Sequence, residues 1–171
     1  SDLSSLSNLD RLNEINFSNT PVTDINVLGN MPHLTKIYCD NSLVSKEMAD
    51  TYKMNNPNVL VINESEALLS WWHELPSFWK TILKDHANTS INPTKEEMHA
   101  IINIRTLRVE HYMQDVAPIS RLTNLEYLDL SNSKIDDISP LYGLHNLKSL
   151  NISGTIVSDL TPLASNKNLR E

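Results

Sequence analysis

Apolar residues recur in this chain at a fixed interval of 22 residues, and that interval decides most of what the chain can become. Leu122, Leu125, Leu128 and Leu130 return 22 residues later as Leu144, Leu147, Leu150 and Ile152. Ile135, Ile138 and Leu141 return as Val157, Leu160 and Leu163. Polar positions keep the same phase: Asp115, Asp137 and Asp159 form one series, and Pro118, Pro140 and Pro162 another. Near the start, Leu9, Leu12, Ile15 and Phe17 are repeated as Met31, Leu34, Ile37 and Cys39. A displacement of 113 residues lays Leu9, Leu12, Ile15, Phe17, Val22, Asp24, Ile25 and Leu28 on Leu122, Leu125, Leu128, Leu130, Ile135, Asp137, Ile138 and Leu141. A repeat this short cannot bury its own apolar face. Stacked neighbours must supply one continuous core.

The consensus is L-x-x-L-x-x-L-x-L-x-x-[ST]-x-I-x-D-I-x-P-L. It resembles the short bacterial leucine-rich repeat of the internalin type, over roughly residues 1–44 and 100–171. The resemblance implies an α/β repeat fold, a solenoid with one short parallel strand per turn on its concave face. The position that the family fills with a buried Asn holds Thr20, Ser42, Ser133 and Thr155 here. A hydroxyl can still satisfy neighbouring backbone groups, with fewer hydrogen bonds than an amide. The Asp-Ile-x-Pro-Leu run predicts a short helical turn, capped by Asp and opened by Pro.

The middle of the chain breaks the period. Ser45 caps a predicted helix that runs to Met54 and stops near Asn55-Asn56-Pro57. Val59–Ile62 is rich in β-formers, so residues 1–62 read as the end of one array. Residues 63–98 differ in kind. They hold Trp71, Trp72 and Trp79, which with Leu68, Leu75, Phe78, Ile82 and Leu83 keep helical spacing. Pro76 divides this stretch into two helices, and Thr94 with Glu97 forms a capping box for a third. A strand at residues 106–109 then opens a second array over residues 99–171, with a first turn one residue short. The segment between the arrays reads as a helical cap.

Composition narrows the chemistry. The net charge of -7 sets the overall field against nucleic acid and anionic membranes. No stretch approaches the roughly 20 apolar residues of a membrane span. One cysteine, Cys39, leaves no intrachain disulfide. His73 and Glu74 adjoin the tryptophans, but no second His follows at the spacing of a helical zinc site. Neither a Gly-rich phosphate loop nor a Gly-x-Ser-x-Gly elbow is present. The residues therefore indicate no catalytic site, metal or cofactor. Helical spacing favours the tryptophans as core over an aromatic ligand platform. One aspartate per turn cannot fill the six to eight oxygen sites of calcium, so Asp24, Asp115, Asp137 and Asp159 read as caps. Cys39 occupies a core leucine phase and reads as an inert thiol.

Strand alternation turns Glu14, Asn16, Ser18, Lys36, Tyr38 and Asp40 outward in the first array. Thr106, Arg108, Glu110, Tyr127, Asp129, Ser131, Ser149, Asn151 and Ser153 follow in the second. Arg108 and Asp129 should be lateral neighbours. Lys36, Tyr38, Asp40, Arg108, Glu110, Tyr127, Asp129 and Asn151 are the candidate contacts for a protein partner, with tyrosine as anchor. The resemblance implies a non-catalytic interaction module at a bacterial envelope or surface, or secreted. Residues 158–171 and 1–14 share one phase, so the chain starts and stops within a repeat. That phase leaves two explanations open, a fragment of a longer protein or head-to-tail stacking of copies through the repeat ends.

Overall fold

The computed structural model describes residues 3–6, 8–109 and 113–170. They fall into two compact units, Ser1–Trp71 and Trp72–Glu171. Each contains one three-stranded parallel sheet, and the division lies within a helix.

In the first unit, strands β1 (Glu14–Asn16) and β2 (Lys36–Tyr38) pair in parallel, with Ile15 opposite Ile37. Helix α1 (Lys46–Asn55) follows, and strand β3 (Leu60–Ile62) lies beside β2 with Val61 opposite Ile37. Ser45 caps α1, its hydroxyl accepting the Met48 N–H at 3.1 Å. Phe17, Val22, Ile25, Leu28, Leu34, Ile37, Cys39, Tyr52 and Val61 make the core. Cys39 sits among them as a free thiol pointing at the Ile62 carbonyl, and burial pushes its pKa up to about 11. It is therefore a protonated core side chain at neutral pH.

Helix α2 (Ser65–Glu74) ends before Pro76, and α3 (Ser77–Ala87) begins after it. Proline supplies no N–H and fixes φ, which stops one helix and starts the next. Helix α4 (Lys95–Ile102) carries the capping box. Thr94 accepts the Glu97 N–H at 3.2 Å, and Glu97 accepts the Thr94 N–H at 2.8 Å. Strands β4 (Thr106–Arg108), β5 (Tyr127–Asp129) and β6 (Ser149–Asn151) then stack in order, with Leu107, Leu128 and Leu150 in register. Trp72 and Trp79 are buried, as helical spacing predicts for core, while Trp71 is half-buried. Their indole N–H groups donate to the carbonyls of Ile91 (3.2 Å) and Asp115 (3.3 Å). The second bond ties α3 to the first turn of the array.

Within that array Leu122, Leu125, Leu128, Leu130, Leu141, Leu144 and Leu147 are all buried. Each contributes about 1.5–3 kcal/mol relative to an exposed side chain. Short 3-10 turns close the far side at Asn26–Asn30, Ala117–Arg121, Ser139–Leu141 and Thr161–Ser165. The aspartates cap them. Asp24, Asp115, Asp137 and Asp159 each accept the N–H two residues ahead at 2.8 Å. The Thr161 hydroxyl, and after it the Thr161 N–H, hold the Asp159 carboxyl below its usual range.

One corner recurs after the strands. Asn19, Asn41, Asn132 and Gly154 have left-handed backbone, with φ of 60°, 54°, 59° and 72°. The next residue is the hydroxyl of the repeat. Thr20, Ser42, Ser133 and Thr155 each donate to the carbonyl three residues back, at 2.6, 2.8, 2.6 and 2.7 Å. These hydroxyls thus satisfy one strand-end carbonyl at each corner. Asparagine tolerates the left-handed region through its short polar side chain, and glycine does so freely. At Gly154 a Cβ would also come within 2.6 Å of the Asn132 Oδ1. Gly154→Ala should therefore cost about 1–2 kcal/mol, the penalty of left-handed backbone for an ordinary residue. Gly154→Asn should cost less. Urea denaturation of the two variants checks this, and equal midpoints for Gly154→Ala and the parent would refute it.

Candidate functional site

The solvent-facing rows of the two sheets are the natural place for recognition, because the opposite faces are committed to core. In the first unit, Glu14 and Lys36 stand opposite each other and pair at 2.8 Å. Asn16 and Tyr38 form the next row, with Tyr38 half-buried. That row ends on Ile62, which is fully buried.

Asp40 corrects the expectation of an outward side chain. It is only 6% exposed, and its carboxylate accepts the backbone N–H of Ser65 at 2.9 Å. Ser65 opens α2, so the carboxylate satisfies a helix N-terminal donor and complements the helix dipole. Asp40 thus fastens the start of α2 to the sheet. Without Asp40, the outward set of this unit is Glu14, Asn16, Ser18, Lys36 and Tyr38.

The second unit offers a broader face. Thr106, Tyr127 and Ser149 form one row, and Arg108, Asp129 and Asn151 the next. Glu110 lies outside the described residues. The Arg108 Nε lies 3.7 Å from Asp129 Oδ2, so the expected lateral pair is present. Asp129 and Asn151 each turn one oxygen back onto the chain. Asp129 accepts the Ser131 N–H at 2.9 Å, and Asn151 accepts the Ser153 N–H at 3.1 Å. Asn16 does the same for Ser18 at 3.0 Å. These local bonds fix the side chains in place and leave the second Asp129 oxygen for Arg108. At the sheet edge, the Arg108 N–H points at the His86 Nε2 of α3, 3.4 Å away. Tyr127 is 48% exposed at the middle of the face, with Thr106 and Ser149 on either side.

A further row went unnoticed in the strand alternation, because it precedes the strands. Arg105, Glu126 and Lys148 stand side by side across three turns. Glu126 receives Arg105 at 3.3 Å on one oxygen and Lys148 at 2.6 Å on the other. The hydrogen bond from Lys148, followed by the charges of Lys148 and Arg105, holds the Glu126 carboxyl below its usual range. Arg105 and Lys148 are exposed, and the Glu126 side chain between them is half-buried. The clue in the sequence was the repeat phase itself, applied to the position just before each strand.

His73 and Glu74 are exposed at the end of α2, and the His73 carbonyl accepts the Lys80 ammonium at 3.0 Å. Among the described residues, no three His, Cys, Asp or Glu side chains are grouped to hold a metal ion. No helix of the described residues is long and apolar enough to cross a membrane.

A family model described as leucine rich repeats (2 copies) matches residues 102–143 and 123–165. The parallel strands, apolar ladder and capped turns are those of an α/β leucine-rich-repeat fold. The chain is similar to an internalin C2 of Listeria monocytogenes, at 19% identity and a TM-score of 0.40, covering 96% of this chain and 62% of that one. It is also similar to an internalin (inlF) of the same organism, at 15% identity and a TM-score of 0.32, covering 99% and 56%. A leucine-rich-repeat protein of Leptospira interrogans matches at 14% identity and a TM-score of 0.33, covering 98% and 32%. The chain therefore spans about a third to three fifths of the lengths of these structures. No curated protein sequence matches it. The match of the family model lies within the second unit.

Proposed function

We propose that the chain is a non-catalytic protein-recognition module, and that the strand face of the second unit is its contact surface. Leucine-rich repeats are protein-interaction modules in general. The observation that carries the finer reading is Tyr127, exposed at the centre of a rigid parallel sheet and flanked by short polar side chains. Tyrosine supplies large contact area at little entropic cost, and a central aromatic is where binding energy concentrates. Arg108, Asp129 and Asn151 frame it with polar groups held in place by local bonds. In the first unit Lys36 and Tyr38 present similar chemistry on a separate sheet, without Asp40. The helices between residues 63 and 98 serve as the cap of the second array.

A photo-crosslinking residue at position 127 or 151 should capture one common partner in extracts of the source cells. The same residue at position 137, on the 3-10 side, should not. Tyr127→Ser should abolish the crosslink made from position 151. Equal capture from both sides would refute the assignment.

A second reading has its own observation. Ile156 and Leu160 are 66% and 55% exposed, whereas Ile138, the equivalent of Leu160 one turn earlier, is 1% exposed. Leu9, in the outer turn of the first unit, is also exposed. Apolar edges of this kind suit head-to-tail stacking of copies. Light scattering over a concentration range should show growing mass that Leu160→Glu suppresses. A monomer at every concentration would eliminate this reading.

A further inference from the structure

We propose that the row just before the strands of the second unit is a binding ledge for an acidic, extended polypeptide segment. This inference rests on the strand face as the contact surface and names the chemistry of its partner.

Four side chains make the ledge: Arg105, Glu126, Lys148 and Arg170. Backbone hydrogen bonds fix their order. The Glu126 N–H donates to the Arg105 carbonyl at 2.8 Å, Lys148 to Glu126 at 2.8 Å, and Arg170 to Lys148 at 2.9 Å. Adjacent members therefore stand about 4.8 Å apart, the spacing of neighbouring strands. Glu126 is shared between Arg105 and Lys148, which leaves these three with one positive charge in excess. Arg170 adds another, and no ion pair involves it among the described residues. The corresponding row of the first unit is Asn13, Thr35 and Val59, which carries no charge.

This surplus stands against the charge of the unit as a whole. Residues 72–171 contain 10 Lys and Arg against 12 Asp and Glu. Much of the negative charge is on the 3-10 side, where Asp115, Asp137 and Asp159 cap their turns and Asp136 adjoins one of them. The capping phase thus carries carboxylates, with Arg121 and Lys134 near it, while three of the four ledge residues are cations. Fields of this kind act over about 8–10 Å at ordinary ionic strength, so the ledge presents itself locally as positive.

The magnitude selects the partner. The ledge is one side chain wide and about 15 Å long, three strand spacings. A DNA duplex brings one charge per about 1.7 Å, roughly nine over that length, against a surplus of two. An extended peptide brings one outward side chain per about 6.6 Å, or two to three carboxylates over the same length. The match is with the peptide. Arginine can grip each carboxylate with two parallel N–H bonds. Tyr127 immediately follows Glu126 and gives an apolar residue of the same segment a place to rest.

The test is fluorescence anisotropy at low salt with a labelled peptide of alternating glutamate and serine. The control peptide has glutamine for glutamate, and a labelled DNA duplex provides the third arm. The glutamate peptide should bind, weaken as salt rises, and outcompete both others. Arg170→Glu should weaken it about tenfold, the loss of one charge-assisted contact. Arg121→Glu, an equal charge change on a 3-10 turn, should leave it unaltered. Glu126→Gln should strengthen it a few-fold, because it releases two cations from a surface pair. Equal binding of the glutamine peptide, tighter binding of the duplex, or indifference to Arg170→Glu would overturn the proposal. If Tyr127→Ser abolishes crosslinks to the cellular partner while Arg170→Glu leaves them intact, the ledge fails and the strand face stands. If neither variant affects them, the strand face itself fails.

Discussion

The structure depends on a corner that lets each strand return beside the one before it. A parallel strand must be re-entered from the same end, so every repeat has to reverse direction twice within about 22 residues. The first reversal uses one residue with left-handed backbone and one hydroxyl. Asn132 turns the chain, and Ser133 ties back to the Leu130 carbonyl. The parallel ladder continues straight into this corner. Leu130 donates to the Asn151 carbonyl, and Asn132 donates to that of Ser153. The corner is therefore the last rung of the sheet as well as the turn that ends it. The second reversal is the aspartate-capped 3-10 turn. Between the two, the leucines have only one direction in which to point.

A face built this way is stiff before any partner arrives. Its backbone groups are paired across the sheet, and Asn16, Asp129 and Asn151 are held by their own turns. Little conformational entropy remains to be lost at these positions on binding, which favours recognition by a pre-formed surface. Specific contacts can then vary from repeat to repeat without disturbing the core. The charge pattern follows the same logic. Aspartates fill the capping phase for structural reasons, while the row before the strands is free to carry Arg105, Lys148 and Arg170.

Much of this architecture was legible because periodicity reports burial directly. The leucine phase located the strands, and Ser45, Pro76 and the Thr94–Glu97 pair located helix ends through their local chemistry. The Arg108–Asp129 pair followed from register alone. Asp40 was misread for a physical reason. Strand alternation states which side of a sheet a residue takes, but not whether a later helix starts there and needs an acceptor. The basic ledge escaped because it lies outside the alternating segment, where no rule of two applies. The role of Asn and Gly at the corners required the φ angles.

The most direct test of the corner is amide hydrogen exchange in Ser133→Ala. The Ser133 hydroxyl is buried and bonded at 2.6 Å, so its loss should cost about 1 kcal/mol. Protection of the Leu130 and Asn132 amides should then fall about fivefold relative to the parent, the equivalent of that energy. Unchanged protection at both amides would show that the hydroxyl does not hold the corner, and that the stacking of the repeats is set elsewhere.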